Sequence, residues 1–142
     1  MPTNVYIDTN IVIGICDIKR PAHTSSLTMI RKYADSAELY INSDTLATVF
    51  YILRNQAKFS FEEALEKMYF IREVFTLVSI DDDIFFKALE LCSHNECTDY
   101  EDAMQYVCAK KIEADLIVTN DKGFVSLDID IKDTQEIKKL KA

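Results

Sequence analysis

Residues 97–124 read CTDYEDAMQYVCAKKIEADLIVTNDKGF and carry the helix-to-strand pattern from which the architecture follows. Thr98-Asp99-Tyr100-Glu101 has capping-box spacing and predicts a helix start. Ala103, Tyr106, Val107 and Lys110 then recur at helical spacing through about residue 113. Leu116-Ile117-Val118-Thr119 is a short run of the residues that suit a pleated surface, and Asn120-Asp121 ends it. A helix that feeds directly into an apolar strand is half of a βαβ unit.

The same alternation extends back to the start of the chain. Val5-Tyr6-Ile7 predicts a strand that ends in Asp8-Thr9-Asn10, where Thr9 or Asn10 is placed to cap an apolar helix. Residues 23–37 read as a helix with Leu27, Ile30 and Ala34 on its apolar face, followed by a strand at Leu39-Tyr40-Ile41. Ser43-Asp44 opens a helix over 45–56, and Ser60 with Glu63 forms a capping box for a helix that buries Ala64, Leu65, Met68 and Ile71. Residues 76–80 are a third strand. Asp81-Asp82-Asp83 then sits where capping and the helix dipole favour acids, so it reads as a helix start and not as a metal cluster. The tail alternates at Leu127, Ile129 and Ile131 and ends in Lys138-Lys139-Leu140-Lys141. Strands separated each time by a helix predict an α/β fold: a three-layer α/β/α sandwich with a mainly parallel sheet of four to five strands, formed by residues 1–142 as a single domain.

Composition bounds the function. The chain has 142 residues, 49% of them hydrophobic, with only 2 Gly and 2 Pro, which excludes disordered and collagenous classes. Sixteen Lys+Arg against twenty-four Asp+Glu gives −8, which argues against clamping nucleic acid by a basic surface. No secretory pattern is visible and no apolar stretch approaches the roughly 20 residues of a membrane span, so a cytoplasmic, membrane-free protein is expected. The four cysteines lack C-x-x-C spacing and are expected to be reduced. Cys92-Ser-His94-Asn-Glu-Cys97 has no second cluster to complete a zinc site, and isolated His23 reads as a surface or capping residue.

In parallel sheets of this kind ligands bind outside the carboxyl ends of the strands. Asp8, Asp44 and Asp121 follow the first, second and fourth strands, while Asp99 and Asp102 lie one helical turn apart. Each alone is ordinary turn or capping chemistry. Gathered together they repel one another unless a hard divalent cation intervenes, and oxygen ligands with retained waters suit Mg²⁺ or Mn²⁺.

VYIDTNIVIGI, TLATVFYILRN and CTDYEDAMQYVCAKKIEADLIVTNDKGF, in that order, resemble the PIN domain of VapC-type toxin ribonucleases, from Val5 to about Ile131. The resemblance implies a Mg²⁺- or Mn²⁺-dependent endoribonuclease of a toxin–antitoxin pair, commonly a homodimer silenced by an antitoxin protein. It implies Asp8, Asp102 and Asp121 as metal ligands, with Asp99 as a further catalytic acid, either ligand or general base. Thr9, Asn10 and Thr119 match polar residues around the site. The remaining family acid falls at Thr48, with Asp44 one turn earlier or Glu101 available to compensate, and Gly123 replaces an Asp common before Phe124. Arg54 and Lys122 are candidates for contacts to the RNA backbone, with Lys58, Lys110 and Lys111 as others. Phe50-Tyr51 is read as core and dimer packing. The Thr48 departure sustains an alternative, a weakened or inactive PIN-like module that binds RNA or protein. A phosphoacceptor receiver domain is a third reading, disfavoured because it expects paired acids after the first strand, where only Asp8 stands.

Overall fold

The computed structural model describes residues 1–140; Lys141, the last of the basic tail, lies outside them. Its elements run β1 (Asn4–Ile7), α1 (Thr9–Cys16), α2 (His23–Tyr33), β2 (Glu38–Asn42), α3 (Ser43–Asn55), α4 (Phe61–Val74), β3 (Thr76–Val78), α5 (Asp82–Ser93), α6 (Tyr100–Lys111), β4 (Leu116–Val118), β5 (Ile131–Lys132) and α7 (Thr134–Lys139). The five strands form one parallel sheet in the order β3-β2-β1-β4-β5. The fold class is the expected α/β sheet flanked by helices.

Period-2 alternation divides the core between the two faces of that sheet. Val5, Ile7, Leu39, Ile41, Leu116 and Val118 pack with α1 to α4 and α7, whereas Tyr6, Val78 and Ile117 pack on the other face with α5, α6 and Phe124. The chain starts at the centre with β1, steps outward to β2 and β3, then returns to place β4 on the other side of β1. The order therefore reverses between β1 and β4, the position outside the strand ends where parallel sheets of this kind bind ligands.

Several elements differ from the sequence reading. The helix α2 ends at Tyr33; Ser25, Ser26, Met29 and Tyr33 are its fully buried residues, Leu27 and Ile30 pack half-buried against the same core as expected, and Ala34 is exposed beyond the helix end. Small hydroxyl residues are buried because the neighbours come close: a Cβ on Gly14 would lie 3.6 Å from Ser26 Oγ, and Ser25 Oγ lies 2.8 Å from Thr134 Oγ1. In α4 the capping box forms as expected, but Leu65 is exposed and Met68 only half-buried. The β3 strand stops at Val78 and not at residue 80; Ile80 N–H turns to donate to Ser43 Oγ at 3.1 Å. The rule of one helix per crossover fails between β4 and β5, where residues 119–130 contain none. That loop is tied down by burial of Phe124 and by Asp128, which accepts hydrogen bonds from Tyr106 and from Lys110 at 2.6 Å. Finally, α7 was not read from the sequence, although Asp133 and Glu136 form a capping box there.

Candidate active site

Asp8 continues the central ladder, its N–H donating to Val118 O at 3.0 Å, and its backbone carbonyl accepts the first bond of α1 from Ile11 N–H. It is therefore the N-cap residue of α1, in place of Thr9 or Asn10, yet its side chain makes no capping bond. An N-cap Asp ordinarily folds its carboxylate back onto the first turn. Here two other side chains hold it outward. Gln105 Nε2 donates to Oδ1 at 2.8 Å and Thr119 Oγ1 donates to Oδ2 at 2.7 Å. The Thr9 N–H, first of the unpaired donors of α1, donates to Gln105 Oε1 at 3.1 Å, which also fixes which end of the amide faces Asp8. Gln105 is 1% exposed.

Behind this pair runs a buried polar chain. Thr9 Oγ1 lies 2.9 Å from Thr45 Oγ1; Asn42 Oδ1 accepts from Thr45 N–H at 2.9 Å; Asn42 Nδ2 donates to Tyr6 Oη at 2.8 Å. Tyr6, wholly buried, is held well above the usual phenol range first by that burial. The chain braces β1, β2, α1, α3 and α6 against one another around the strand ends.

The second set of acids enters on α6. Asp99 is its N-cap, and Oδ1 accepts from Asp102 N–H at 3.0 Å, so the cap is Asp99 and not Thr98 with Glu101. Glu101, released from any capping box, is instead part of the acidic group. Asp102 lies in the first turn, buried, and its carboxyl is pushed up to about 7, first by burial and then by Asp99, Asp8, Asp121 and Glu101. Burial and the charges of Asp8 and Asp99 raise Glu101 as well. Asp121 follows β4; its N–H donates to Thr119 Oγ1 at 3.1 Å, and its Oδ1 accepts from Gly123 N–H at 2.8 Å. A Cβ at position 123 would sit 3.3 Å from that same oxygen, so the glycine leaves room for the Asp121 carboxylate to turn back.

Asp8, Asp99, Glu101, Asp102 and Asp121 thus form one mutually coupled acidic group at the crevice between β1 and β4. Burial first, and then the neighbouring carboxylates, disfavour the charged form of Asp102 in this group. Its donors are all oxygen, which fits a hard divalent cation. Among the described residues no three His, Cys, Asp or Glu side chains stand close enough together to enclose a metal ion.

The structure does not bring the other candidates to this point equally. Asn10 is exposed and takes no part in the hydrogen bonds around Asp8. Asp44 and Thr48 line an adjoining cleft between α3 and α6 together with Thr9, Asn42, Tyr100, Glu101 and Met104. Arg54 is turned away: its guanidinium donates to Phe59 O at 3.1 Å and lies 6.0 Å from the Phe61 ring centre. Lys110 and Lys111 are engaged with Asp128 and Asp81, the latter at 3.0 Å. Lys122 is exposed beside Asp121 at the rim of a second cleft. Gln105 was missed in the sequence, although Asp99, Asp102 and Gln105 share three-residue spacing on a helix otherwise apolar in its middle.

Fold and site together define a parallel α/β protein whose carboxylates gather at the reversal of strand order. The chain belongs to the PIN-domain family, whose profile matches residues 5–130. It is 34% identical over 134 residues to Ribonuclease VapC1 of Aquifex aeolicus, spanning 93% of this chain and 91% of that protein. Among solved structures, VapBC2 from Rickettsia felis, bound to a DNA fragment from its promoter, superposes with a TM-score of 0.72 at 18% identity, over 92% of this chain and 98% of the other. VapC20 of Mycobacterium tuberculosis, a toxin that cleaves the sarcin-ricin loop, gives 0.66 at 16% identity over 87% and 98%. Those two likenesses are of fold. No helix among the described residues is long and apolar enough to cross a membrane.

Proposed function

We propose that this protein is an endoribonuclease dependent on Mg²⁺ or Mn²⁺ and the toxin of a toxin–antitoxin pair. The observation that carries the reading is the gathering of acids at the ends of β1 and β4 and the start of α6, with Gln105 and Thr119 holding the Asp8 carboxylate off the helix it caps. The 34% identity to a named ribonuclease supports RNA as substrate, and the VapBC2 likeness supports an antitoxin partner. Asp8, Asp102 and Asp121 are the proposed metal ligands. A divalent cation there supplies Lewis-acid polarisation of a phosphoryl oxygen and an acidified water. The protein's own part is positioning. Gln105 and Thr119 each occupy one oxygen of Asp8 and leave its remaining lone pairs facing the crevice. Asp99 spends Oδ1 on the α6 cap and keeps Oδ2 to accept a proton or a ligand bond. Lys122, exposed beside Asp121, is the proposed contact to the RNA backbone. A homodimer, a single domain and a cytoplasmic location complete the proposal.

Thr48, where the family acid is expected, favours a second reading: a PIN-like module that binds RNA or protein without turnover. Incubation of an RNA oligonucleotide with the protein and Mn²⁺ separates the two. Cleavage is expected, stopped by EDTA and reduced at least about 100-fold by Asp8→Asn, more than the loss of an outer-shell partner costs. RNA binding without metal and without cleavage would establish the module instead.

A further inference from the structure

The cleft between α3 and α6 adjoins the acidic group and shares Glu101 with it, but holds none of the three proposed metal ligands. Building on the ribonuclease reading, we propose that this cleft is a nucleobase subsite that takes a guanine next to the scissile phosphate.

The cleft has a volume of about 240 Å³, below the roughly 300–1,000 Å³ of sites for drug-sized ligands, and suits one flat heterocycle. Two helices supply its walls. Asp44 and Thr48 stand one turn apart on α3, and Tyr100 and Met104 one turn apart on α6. Met104 is buried and gives an apolar floor, while Tyr100 is 41% exposed and offers a ring for stacking. That ring is braced edge-on by Phe85, with centroids 6.3 Å apart at 80°. Single-stranded RNA is commonly read in this way, by stacking a splayed base on an aromatic and bonding its edge.

The edge contact selects the base. Asp44 makes no hydrogen bond or ion pair among the described residues, in contrast to Asp81, Asp83, Asp115 and Asp128. It lies in the first turn of α3, where the helix dipole favours its anion. A free carboxylate accepts two parallel N–H bonds. Guanine alone among the four RNA bases presents two adjacent N–H donors, at N1 and N2, on one edge. Adenine and cytosine set a ring-nitrogen acceptor beside their amino group, and uracil flanks its single N–H with carbonyls; each would aim an acceptor at the carboxylate. Thr48 has a role here: an acid in its place would be a third carboxylate in the cleft beside Asp44 and Glu101, whereas a hydroxyl is compatible with a neutral base. Thr9 and Glu101 form the wall shared with the acidic group, so a base in the cleft is adjacent to a phosphate at the metal ligands.

The test uses the full chain in two arms. In the first, guanosine, adenosine, cytidine and uridine 5′-monophosphates are titrated separately in EDTA, with binding followed by NMR shifts. The guanosine nucleotide should bind about 10-fold tighter than the others, Asp44→Asn should abolish that preference, and Tyr100→Ala should weaken all four at least about 5-fold. In the second, RNA oligonucleotides containing a single guanine are offered with Mn²⁺, and cleavage should fall beside the guanine. Guanosine preference that depends on Asp44, with no cleavage of any RNA, sustains the subsite and overturns the ribonuclease reading. Cleavage without base preference and unaffected by Asp44→Asn overturns the subsite and leaves the ribonuclease. Four equal affinities in the first arm also overturn it.

Discussion

Replacing Gln105 by Met preserves length and apolar volume while removing both ends of the bridge between Asp8 and Thr9. The cost follows from what is left behind. Asp8 Oδ1 loses a charge-assisted bond of 2.8 Å, worth roughly 1.5–3 kcal/mol, and Thr9 N–H loses one worth about 1 kcal/mol. Because Asp8 is 4% and Gln105 1% exposed, water does not readily replace either bond. The expected loss is about 3 kcal/mol, or a fall in Tm of roughly 10 °C for a domain of this size. Urea unfolding at pH 7 in EDTA reads it directly, provided the denaturant slope is unchanged. The same substitution in an Asp8→Asn background should cost at least about 1 kcal/mol less, since the charge that Gln105 serves is gone. A loss below about 1 kcal/mol, or equal losses in the two backgrounds, would refute the assignment of Gln105 as the residue that positions Asp8.

Two further outcomes are expected. The folded state binds the Asp102 proton more tightly than the unfolded chain, with a pKa of about 7 against an ordinary value near 4, so metal-free stability should decline as pH rises across that interval. The site opens to solvent on one side, which limits the decline to about 1–2 kcal/mol; Asp102→Asn should flatten it in urea titrations between pH 4.5 and 7.5, and an unchanged slope would exclude Asp102 as its source. Ser60→Ala removes the hydroxyl that accepts from Glu63 N–H at 3.1 Å and frees the reciprocal Glu63 bond, so it should cost about 1 kcal/mol by the same unfolding measurement, and no loss would mean that the capping box contributes nothing.

Much of this was legible because period and position are local properties. The short apolar run Val5-Tyr6-Ile7 marked the central strand, and three-residue spacing put Asp99 and Asp102 together at the start of α6. What escaped depends on partners distant in sequence. Capping chemistry suggested Thr98 because Glu101 follows at the right interval, but Asp99 takes the cap while Glu101 joins the acids around Asp8. On α2 Leu27 and Ile30 do pack on the core, but the burial of Ser25 and Ser26 escaped, because it comes from close packing against α1 and α7. Arg54 drew attention by its charge alone; its loop carbonyl and the Phe61 ring determine where it points. Gln105 is the instructive omission, a polar residue within a buried helix whose bonds to Thr9 and Asp8 reach back 96 and 97 residues.

The order of strands also bears on synthesis. A nascent chain that has emerged as far as β3 already contains the pairing of Val5 with Leu39 and of Tyr40 with Thr76, enough for half a sheet. At that stage Asp8 has neither Gln105 nor Thr119, and the crevice beside it has no second wall. Domains generally begin to organise from the N-terminus as they are made, and contacts distant in sequence bear the larger closure cost. Completion of the carboxylate group must wait for α6 and β4 to leave the ribosome and for Val5 to find Leu116. A stalled or prematurely released chain would carry the first acid of the site in an inert form.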